Sequence, residues 1–373
     1  MARKLYEGNL IEAEKLICDV APKVVEYYEL HKRDLPWRKD NDPYHVWVSE
    51  IMLQQTRIEA VRKYYRRFMK LLPNVEALAL VEDEKLMKLW EGLGYYSRAR
   101  NLKKAALILN ESNENALPKT YQELIKLPGI GSYTAGAIAS ICYGEAVAAV
   151  DGNVLRVISR LIRNKENVLD AKVKKGVEEM LTTVLMKSGV NSSSFNQGIM
   201  EIGEMICKPN KMPLCKECPL HSWCLAFQNQ EQALIPLRIK NTKRVMEEKT
   251  VVIYQINDKI LLEKRENSGL LAGMFQFPLY DGHLNETQVK EMVEEKWREI
   301  LEETVHPSLY ALENYKHIFS HKEWHMVGYH ILINVSGEVE NVLTSEGVWV
   351  TKKEIEKEYA LPTAFVMYLS SIR

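Results

Sequence analysis

The sequence has no apolar run long enough to cross a membrane, because its most apolar stretch, residues 134–150, is interrupted by Glu145. The first ten residues, MARKLYEGNL, contain no apolar core of a signal peptide. Low-complexity tracts and repeats of roughly 20 to 50 residues are also missing, which excludes solenoids and other repeat proteins. We therefore expect a cytoplasmic globular protein that does not bind a membrane.

Cysteine is scarce, and four of the six cysteines lie between Cys207 and Cys224. Because disulfides are rare in a reducing compartment, this group indicates a metal site. The other two, Cys18 and Cys142, lie in apolar helical patterns and are predicted to be packing residues.

The chain also lacks a net charge, since 50 Lys and Arg balance 50 Asp and Glu. The two parts of the chain nevertheless differ in charge. Residues 249–373 hold 13 basic and 19 acidic residues, whereas residues 1–248 hold 37 basic and 31 acidic residues. The mild basic excess of the first part permits nucleic-acid binding without establishing it.

The chain consists of two regions that differ in their pattern of apolar residues. Apolar residues recur at helical spacing from about residue 9 to 206, and a polar connector at residues 228–248 follows the cysteines. Beyond it come short strand-like runs and one clear helix. We predict a mostly α domain over residues 1–227, a linker, and an α+β domain over residues 249–373. The strand-like runs are TVVIYQI (250–256), KILLEKR (259–265), MFQFPLY (274–280), EWHMVGYHILINV (323–335) and GVWVT (347–351), and the helix is TQVKEMVEEKWREIL (287–301).

The segment LPGIGSYTAGA (127–137) places Gly129 and Gly131 in a tight turn between helices, the second of which starts near Ser132. This pattern predicts a helix-hairpin-helix over about residues 120–143. Backbone N–H groups at such a turn can hold a DNA phosphate without reading the base sequence.

Asp151 follows the apolar run AVAAV, where an ionised carboxylate is costly unless something stabilises it. The segment VLRVISRLI after it has the spacing of a buried helix, so helix capping is the ordinary explanation. A catalytic carboxylate is the alternative, and the residue pattern alone leaves both open.

The cysteine group has the spacing C-x7-C-x2-C-x5-C over Cys207, Cys215, Cys218 and Cys224. Four thiolates so close in sequence can enclose one compact soft-metal centre, and the spacing alone leaves zinc possible. Lysines beside and between these cysteines would present positive charge to phosphates while the metal fixes the loop.

Together, the hairpin, the aspartate about twenty residues downstream and the four-cysteine loop resemble the endonuclease III superfamily of DNA base-excision glycosylases. Within it the chain resembles the adenine DNA glycosylase (MutY) family. The matching motifs are DLPWR (34–38), VWVSEIMLQQTR (46–57), EGLGYYSRARNL (91–102), LPGIGSYTAGA (127–137), AVDGNV (149–154), FNQGIMEIGEMIC (195–207) and FSH (319–321).

The resemblance implies a helix-hairpin-helix glycosylase domain whose four cysteines hold a 4Fe-4S cluster, followed by a Nudix-like domain. The family pattern has six residues between its first two cysteines, whereas this chain has seven. The implied reaction is the excision of adenine opposite 8-oxoguanine or guanine in base-excision repair.

The resemblance makes Glu50 the general acid that protonates adenine N7, and Asp151 the anion that stabilises positive charge on the deoxyribose. Burial among apolar neighbours raises a carboxyl pKa, which suits a proton donor. From the residues alone, a helix-surface acid or a partner for Arg57 is the more ordinary explanation of Glu50.

Tyr133 occupies the position where strand-cutting relatives carry a lysine nucleophile, and a phenol cannot form a Schiff base. The resemblance therefore implies a monofunctional glycosylase with water as the final nucleophile. Tyr133 and Asn153 are implied to assist the acid and the aspartate, and Leu155 offers no substitute amine.

A base inside a duplex must be flipped out before it can be excised. By resemblance, Gln55 and Tyr95 lie beside the orphaned partner base, and Arg38 and Gln197 line the adenine pocket. Surface or capping amides and core packing are the ordinary explanations of the glutamines and the tyrosine.

The second domain resembles the Nudix fold but lacks the R-E-x-x-E-E metal-binding series, to which WREILEETV (297–305) comes closest. Pyrophosphate hydrolysis is therefore not expected. By resemblance, Phe319, Ser320 and His321 recognise 8-oxoguanine, with the polar pair sensing the N7 and C8 edge and the phenyl ring stacking. A solvated hairpin turn is the alternative.

The expected partner is double-stranded DNA with adenine opposite 8-oxoguanine, bound by a nucleoid-associated monomer. One alternative is a bifunctional pyrimidine glycosylase and lyase, which Tyr133 disfavours. A non-catalytic iron–sulfur DNA-binding protein is disfavoured by Glu50 and Asp151. A Nudix hydrolase with a DNA-binding extension is disfavoured by its missing carboxylates.

Overall fold

The chain divides into two units, Met1–Leu80 with Arg100–Lys240, and Val81–Ala99 with Asn241–Arg373. The computed structural model describes residues 10–112, 115–209, 212–239, 244–301, 307–333 and 347–372. The predicted boundaries at residues 227 and 249 leave residues 81–99 with the helical domain, whereas in the structure they group with the sheet-containing unit.

The first part of the chain is helical, as the apolar spacing predicts. Its helices are α1 (Leu10–His31), α2 (Pro43–Leu53), α3 (Ile58–Leu71), α4 (Val75–Leu80), α5 (Asp83–Trp90), α6 (Ser97–Glu111), α7 (Tyr121–Leu124), α8 (Ser132–Tyr143), α9 (Gly152–Leu161), α10 (Ala171–Ser188), α11 (Ser192–Met205) and α12 (Leu225–Gln228). Helix α5 and the first residues of α6 belong to the second unit.

Several helices begin where the sequence supplies a capping side chain. Asp42 Oδ1 accepts a hydrogen bond from the Tyr44 N–H at 2.8 Å before α2, and Asn191 Oδ1 accepts one from Ser194 at 2.9 Å before α11. Helix α8 ends at Gly144, whose φ of 69° favours glycine. Local sequence therefore sets these boundaries.

Helices α1, α9, α10 and α11 pack around one apolar core. Every residue of α9 from Val154 to Leu161 is buried. Gly203 of α11 lies against Asn153, since a Cβ on this glycine would lie 2.7 Å from the Asn153 Cβ. The core therefore holds the first turn of α9 close to α11.

The helical spacing that the sequence shows from about residue 9 to 206 does not reveal the break between α2 and α3. Helix α2 ends at Leu53 and α3 begins at Ile58, and Gln55 between them has a φ of 58°. A single helix cannot include a left-handed residue, so the chain turns here. The turn exposes Gln55.

The second unit contains a sheet with strand order β3-β2-β1-β6-β5, in which β4 also pairs with β1 and β7 with β2. The strands are β1 (Val245–Ile256), β2 (Lys259–Lys264), β3 (Phe275–Gln276), β4 (Leu279–Asp281), β5 (Ser308–Ile318), β6 (Lys322–Leu332) and β7 (Val348–Thr351). Its helices, besides α5, are α13 (Glu286–Leu301), α14 (Lys352–Glu358) and α15 (Thr363–Ser371). Strands β1 and β6 run parallel, and the other pairs are antiparallel.

Both faces of this sheet are covered, which explains why TVVIYQI is continuously apolar. Val251 and Ile253 belong to a core that contains Phe365 of α15, whereas Val252 and Tyr254 belong to one that contains Trp297 of α13. A strand buried on both faces needs no polar alternation. The α+β character predicted for this region is confirmed.

Strand β5 was not predicted, because its sequence, SLYALENYKHI, is rich in polar residues. It lies at the edge of the sheet and most of its residues are exposed or half-buried. An edge strand needs little apolar surface. Residues 302–305 of WREILEETV and residues 334 and 335 of the predicted run EWHMVGYHILINV lie outside the described part of the chain. Across the described residues, no helix combines the length and the apolar character that a membrane span requires.

Candidate active site and cysteine loop

The helical unit contains a cavity of about 1000 Å³. Its walls come from the end of α2, the turn after it, the first turn of α8, the start of α9 and one face of α11. Residues far apart in the sequence thus meet in one place. Those predicted from the sequence that line it are Arg38, Glu50, Gln55, Gly131, Tyr133, Asp151, Asn153 and Gln197.

Glu50 lies on α2 and is only 7 % exposed. The Tyr133 hydroxyl donates a hydrogen bond to Glu50 Oε2 at 2.5 Å. Burial raises the pKa of Glu50 from 4.5 to about 7, and the Tyr133 hydrogen bond partly opposes this while the charge of Asp151 adds to it. A carboxyl group of this kind holds a proton near neutral pH. The surface-acid explanation of Glu50 is therefore wrong.

Asp151 is the N-cap of α9, as the capping explanation predicts. Its Oδ1 accepts a hydrogen bond from the Val154 N–H, and its Oδ2 accepts one from Asn153 Nδ2, both at 2.8 Å. Burial raises the pKa of Asp151 above 3.8, while these hydrogen bonds oppose the rise. Asp151 also lines the cavity, so capping and a role in chemistry are compatible.

Asn153 is itself held by Arg156, a buried residue of α9 that the sequence reading missed. Arg156 Nη2 donates to Asn153 Oδ1 at 2.8 Å, which leaves the Asn153 amide nitrogen directed at Asp151. Arg156 Nε also donates to the carbonyl of Cys207 at 2.6 Å. A chain of hydrogen bonds thus joins Asp151 to the first cysteine.

Arg38 and Gln197 line the cavity, and so does a further acid, Glu201, that was not predicted. Glu201 is 2 % exposed; its Oε1 forms an ion pair with Arg38 Nη1 at 2.7 Å, and its Oε2 accepts a hydrogen bond from Arg33 Nε at 2.8 Å. Gln197 donates to Ser193 Oγ at 3.1 Å. The spacing of Gln197 and Glu201, one helical turn, was a signal that could have found this acid.

The predicted hairpin turn forms between α7 and α8, and α8 starts at Ser132 as expected. Gly129 has a φ of 78°, and a Cβ there would lie 2.7 Å from the Asn101 Cβ. This position therefore requires glycine on two grounds. Gly131 precedes α8 with an extended backbone, and both glycines are exposed.

The four cysteines are partly buried and lie in one loop after α11. Burial and the neighbouring sulfurs raise the pKa of Cys218 to about 12 and that of Cys224 to about 11. Among the described residues, no three His, Cys, Asp or Glu side chains are arranged to hold a single metal ion. Four cysteine sulfurs in one loop are soft donors, and the positive charge of a bound metal would lower these pKa values, so the donor chemistry fits a soft-metal group.

A second arginine of α9 contacts this loop. Arg160 Nη1 donates to Cys207 Sγ and to the carbonyl of Lys208, both at 3.1 Å. The Leu214 N–H donates to the Ile206 carbonyl at 3.0 Å. This hydrogen bond brings together the two ends of the seven-residue segment between Cys207 and Cys215. Residues 210 and 211 within that spacing lie outside the described part of the chain.

The remaining predicted residues belong to the second unit. Tyr95 has a φ of 48° and is 47 % exposed, and its hydroxyl hydrogen-bonds Ser320 Oγ at 3.1 Å. Ser320 and His321 are exposed in the hairpin turn between β5 and β6, which the Phe319 N–H closes by donating to the Lys322 carbonyl at 2.8 Å.

Phe319 packs beneath this turn rather than projecting freely. Its ring centre lies 4.9 Å from that of Trp324 and 4.5 Å from that of His317, both in edge-on geometry. The ring is therefore held by neighbours within the same unit. The hairpin-turn explanation of FSH is correct as a description of the backbone.

Comparison with known proteins gives two family matches. Residues 48–183 match the HhH-GPD superfamily base excision DNA repair protein family, and residues 249–371 match the NUDIX domain family. The adenine DNA glycosylase of Buchnera aphidicola subsp. Schizaphis graminum is 33% identical over 334 residues, which cover 88% of this chain and 92% of the relative.

Two solved structures resemble the helical part. A thermostable thymine-DNA glycosylase is 27% identical, with a TM-score of 0.51, and the match covers 58% of this chain and 98% of the other. A trapped endonuclease III–DNA covalent intermediate is 24% identical, with a TM-score of 0.50 and coverage of 58% and 98%, which shows the shared fold. The chain belongs to the adenine DNA glycosylase family of base-excision repair enzymes.

Proposed function

We propose that this glycosylase removes adenine opposite 8-oxoguanine or guanine as a monomer on double-stranded DNA, without cutting the strand. The observation that carries the proposal is the arrangement of Glu50, Tyr133 and Asp151 on one cavity wall. A proton donor with a pKa of about 7 and a second carboxylate with amide donors are what acid-assisted base release requires.

In the proposed mechanism, Glu50 transfers its proton to adenine N7 while the bond between N9 and C1′ breaks. The bonding electrons leave with the base, which departs neutral because it carries the added proton. Asp151 faces the positive charge that develops on the sugar, and Asn153 keeps this carboxylate hydrogen-bonded. Water then adds to C1′ and loses a proton to the solvent.

The chemistry of Tyr133 supports the proposal that the enzyme does not cut the DNA strand. Its hydroxyl is engaged as a donor to Glu50, and burial raises its pKa well above 10. A protonated phenol offers no amine for a Schiff base, so the abasic product stays intact. Tyr133 instead keeps the carboxyl group of Glu50 in one orientation.

Arg38 and Gln197 are proposed to recognise the flipped adenine, and Gln55 to occupy the space that the base leaves. Arg38 is oriented by Glu201, which fixes its guanidinium toward the cavity. Gly129 and Gly131 are proposed to hold a DNA phosphate through their backbone N–H groups. Because the proposed substrate is double-stranded DNA, we propose that the enzyme works in the cytoplasm at the nucleoid.

The hydrogen-bonded pair Tyr95 and Ser320 supports opposite-base recognition by the second unit. Both hydroxyls are exposed, so one can donate to a base edge while the other accepts. His321 adds a second polar group beside them, and Phe319 supports the turn from below. We propose that these residues inspect the partner base.

Glycosylases of the endonuclease III type carry iron–sulfur clusters. We propose that Cys207, Cys215, Cys218 and Cys224 hold a 4Fe-4S cluster in this chain. When bound, the cluster would fix the loop, while Lys208 and Lys216 remain exposed for DNA phosphates. The remaining lysine of the loop, Lys211, lies outside the described residues.

The test is single-turnover cleavage of labelled duplexes, with strand breaks scored before and after hot alkali. We expect breaks only after alkali, with adenine opposite 8-oxoguanine and more slowly opposite guanine, and none with adenine opposite thymine. Breaks without alkali would mean lyase chemistry. Release of thymine or a damaged pyrimidine instead of adenine would favour the pyrimidine glycosylase alternative.

Opposite-base recognition is tested with Ser320→Ala, Tyr95→Phe and the double variant. Each single change should lower the ratio of rates for 8-oxoguanine and guanine partners about fivefold, and the double variant should lower it no further. Tyr310→Phe, an exposed tyrosine of the same unit, is the matched control. Unchanged ratios in all three variants would remove this pair from the recognition surface.

A further inference from the structure

Arg238 lies beside Gly152, a residue that lines the cavity, although it follows the cysteine loop by more than a dozen residues in the chain. A Cβ placed on Gly152 would be 4.0 Å from Nη2 of Arg238. Gly152 is exposed, lines the cavity and follows Asp151 directly. The guanidinium therefore lies at the cavity edge on the side of Asp151.

The backbone on both sides of Arg238 is held in place. Leu237 pairs with Asn167 in a parallel bridge, and the Val168 N–H donates to the Leu237 carbonyl at 3.1 Å. On the other side, the Ile239 N–H donates to Asn167 Oδ1 at 3.1 Å. Arg238 thus extends from an anchored segment rather than from a free tail.

The same segment is tied to α9. Arg160 Nε donates to the Ile235 carbonyl at 2.7 Å, and this arginine also contacts the Cys207 sulfur. Val168 and Leu169, which border the segment, line the cavity. The position of Arg238 is therefore set by the elements that build the cavity wall.

Within the described residues, Arg238 has no carboxylate partner. Arg238 lies near the buried Arg156. The pKa of Arg156 is lowered mainly by burial and in small part by the positive charge of Arg238. Two cations near one another, one of them exposed, favour an anion from outside the protein. The sequence does not mark Arg238, since it lies in the predicted linker.

We propose that Arg238 binds a backbone phosphate that flanks the flipped nucleotide, on the strand that carries the adenine. The inference rests on the proposed function. If the sugar of the flipped nucleotide faces Asp151, its attached phosphates reach the cavity edge next to Gly152. An arginine there forms charge-assisted, bidentate hydrogen bonds with phosphate and holds the sugar in register with Asp151.

The first experiment measures binding of the full chain to a duplex in which tetrahydrofuran replaces the deoxyadenosine. This probe has no base to excise, so a wrong assignment of the excised base leaves the result unaffected. Arg238→Ala should weaken binding about tenfold and reduce the slope of log K against log salt by about 0.9. Arg238→Lys should restore the slope but only part of the affinity.

Arg66→Ala is the matched control, because Arg66 is an exposed arginine of α3 that does not line the cavity. It removes the same charge from the same unit. An equal loss in both variants would show that net charge alone matters and would overturn the specific contact.

The deciding experiment replaces one phosphate at a time by an uncharged methylphosphonate, at the 5′ and the 3′ side of the tetrahydrofuran. At the contacted position the replacement should weaken binding about fivefold for the wild type and not at all for Arg238→Ala. If both proteins lose the same affinity at both positions, the inference is wrong even when the wild type excises adenine normally.

Discussion

The surroundings of Glu50 and of Asp151 differ in the number of hydrogen-bond donors that face each carboxylate. Glu50 lies within a helix and receives one donor, the Tyr133 hydroxyl. Asp151 begins a helix and receives a backbone N–H and the Asn153 amide, which Arg156 fixes from behind. Burial raises both pKa values, but more donors oppose it at Asp151.

The difference shows how one cavity can hold a protonated carboxyl group and an ionised carboxylate. A group within a helix has no free backbone N–H nearby, because the helix uses them, whereas a helix start offers several. We therefore expect Glu50 to hold its proton near neutral pH while Asp151 is the stronger acid.

The largest expected effects come from removing either carboxylate. Glu50→Gln and Asp151→Asn should each lower the single-turnover rate by at least about 10³-fold, because the proton donor or the charge partner is lost. Binding to the mismatched duplex should persist in both, which a fluorescence anisotropy titration checks. A parallel loss of binding and cleavage would instead indicate a folding role.

The same Glu50→Gln change should stabilise the protein at high pH. The pKa of Glu50 is about 7 in the folded state and 4.5 unfolded, so its contribution falls as pH rises through this window. Relative to the neutral glutamine, ionisation of Glu50 lowers the free energy of unfolding by about 3 kcal/mol at pH 8 and about 1 kcal/mol at pH 5.5.

Thermal unfolding monitored at both pH values measures this difference. The melting temperature of Glu50→Gln should exceed that of the wild type by about 8 °C at pH 8, and by less at pH 5.5. Glu59→Gln, on the exposed face of α3, is the control and should change neither value. An equal shift at both pH values would mean that the gain is not electrostatic.

Above the pKa of Glu50, the single-turnover rate should fall about tenfold for each unit of pH. Since that pKa is about 7, the single-turnover rate at saturating enzyme should fall as pH rises from 7 to 9. The Tyr133 hydrogen bond lowers the pKa of Glu50, so Tyr133→Phe should move this fall to higher pH. A move to lower pH would contradict the assigned proton.

The smallest effect concerns the amide that supports Asp151. Asn153→Ala removes one of the hydrogen bonds that lower the pKa of Asp151. The rate should fall about fivefold at neutral pH and further at acidic pH, because more of the carboxyl is protonated. If the acidic limb of the profile does not move, Asn153 acts on the sugar or the base rather than on Asp151.

Much of the fold could be predicted because local sequence and local structure agree. Capping residues such as Asp151 and the glycines of the hairpin mark boundaries whichever tertiary structure follows. Strand β5 could not be predicted, since an edge position removes the apolar pattern. The break at Gln55 was also missed, because its neighbours are good helix formers and only the tertiary packing turns the chain there.

For the site, the resemblance to the family indicated the residues, and the variants above test the roles proposed for them. Residues that act through others were missed. Glu201, Arg156 and Arg238 are charged residues of unremarkable sequence context, and their partners lie dozens of residues away. No local pattern encodes such pairs, because side-chain contacts of this range depend on how helices pack.

The helical and strand-rich regions, the hairpin, the cysteine loop and the cap at Asp151 can all be predicted from local sequence patterns. These features depend on backbone preferences and on residues a few positions apart. Three other features follow from how the helices pack: Glu50 is buried against Tyr133, Arg156 links Asn153 to Cys207, and Arg238 lies beside Gly152 at the cavity. Protonation and charge pairing depend on burial and distance, which exist only after the helices have packed.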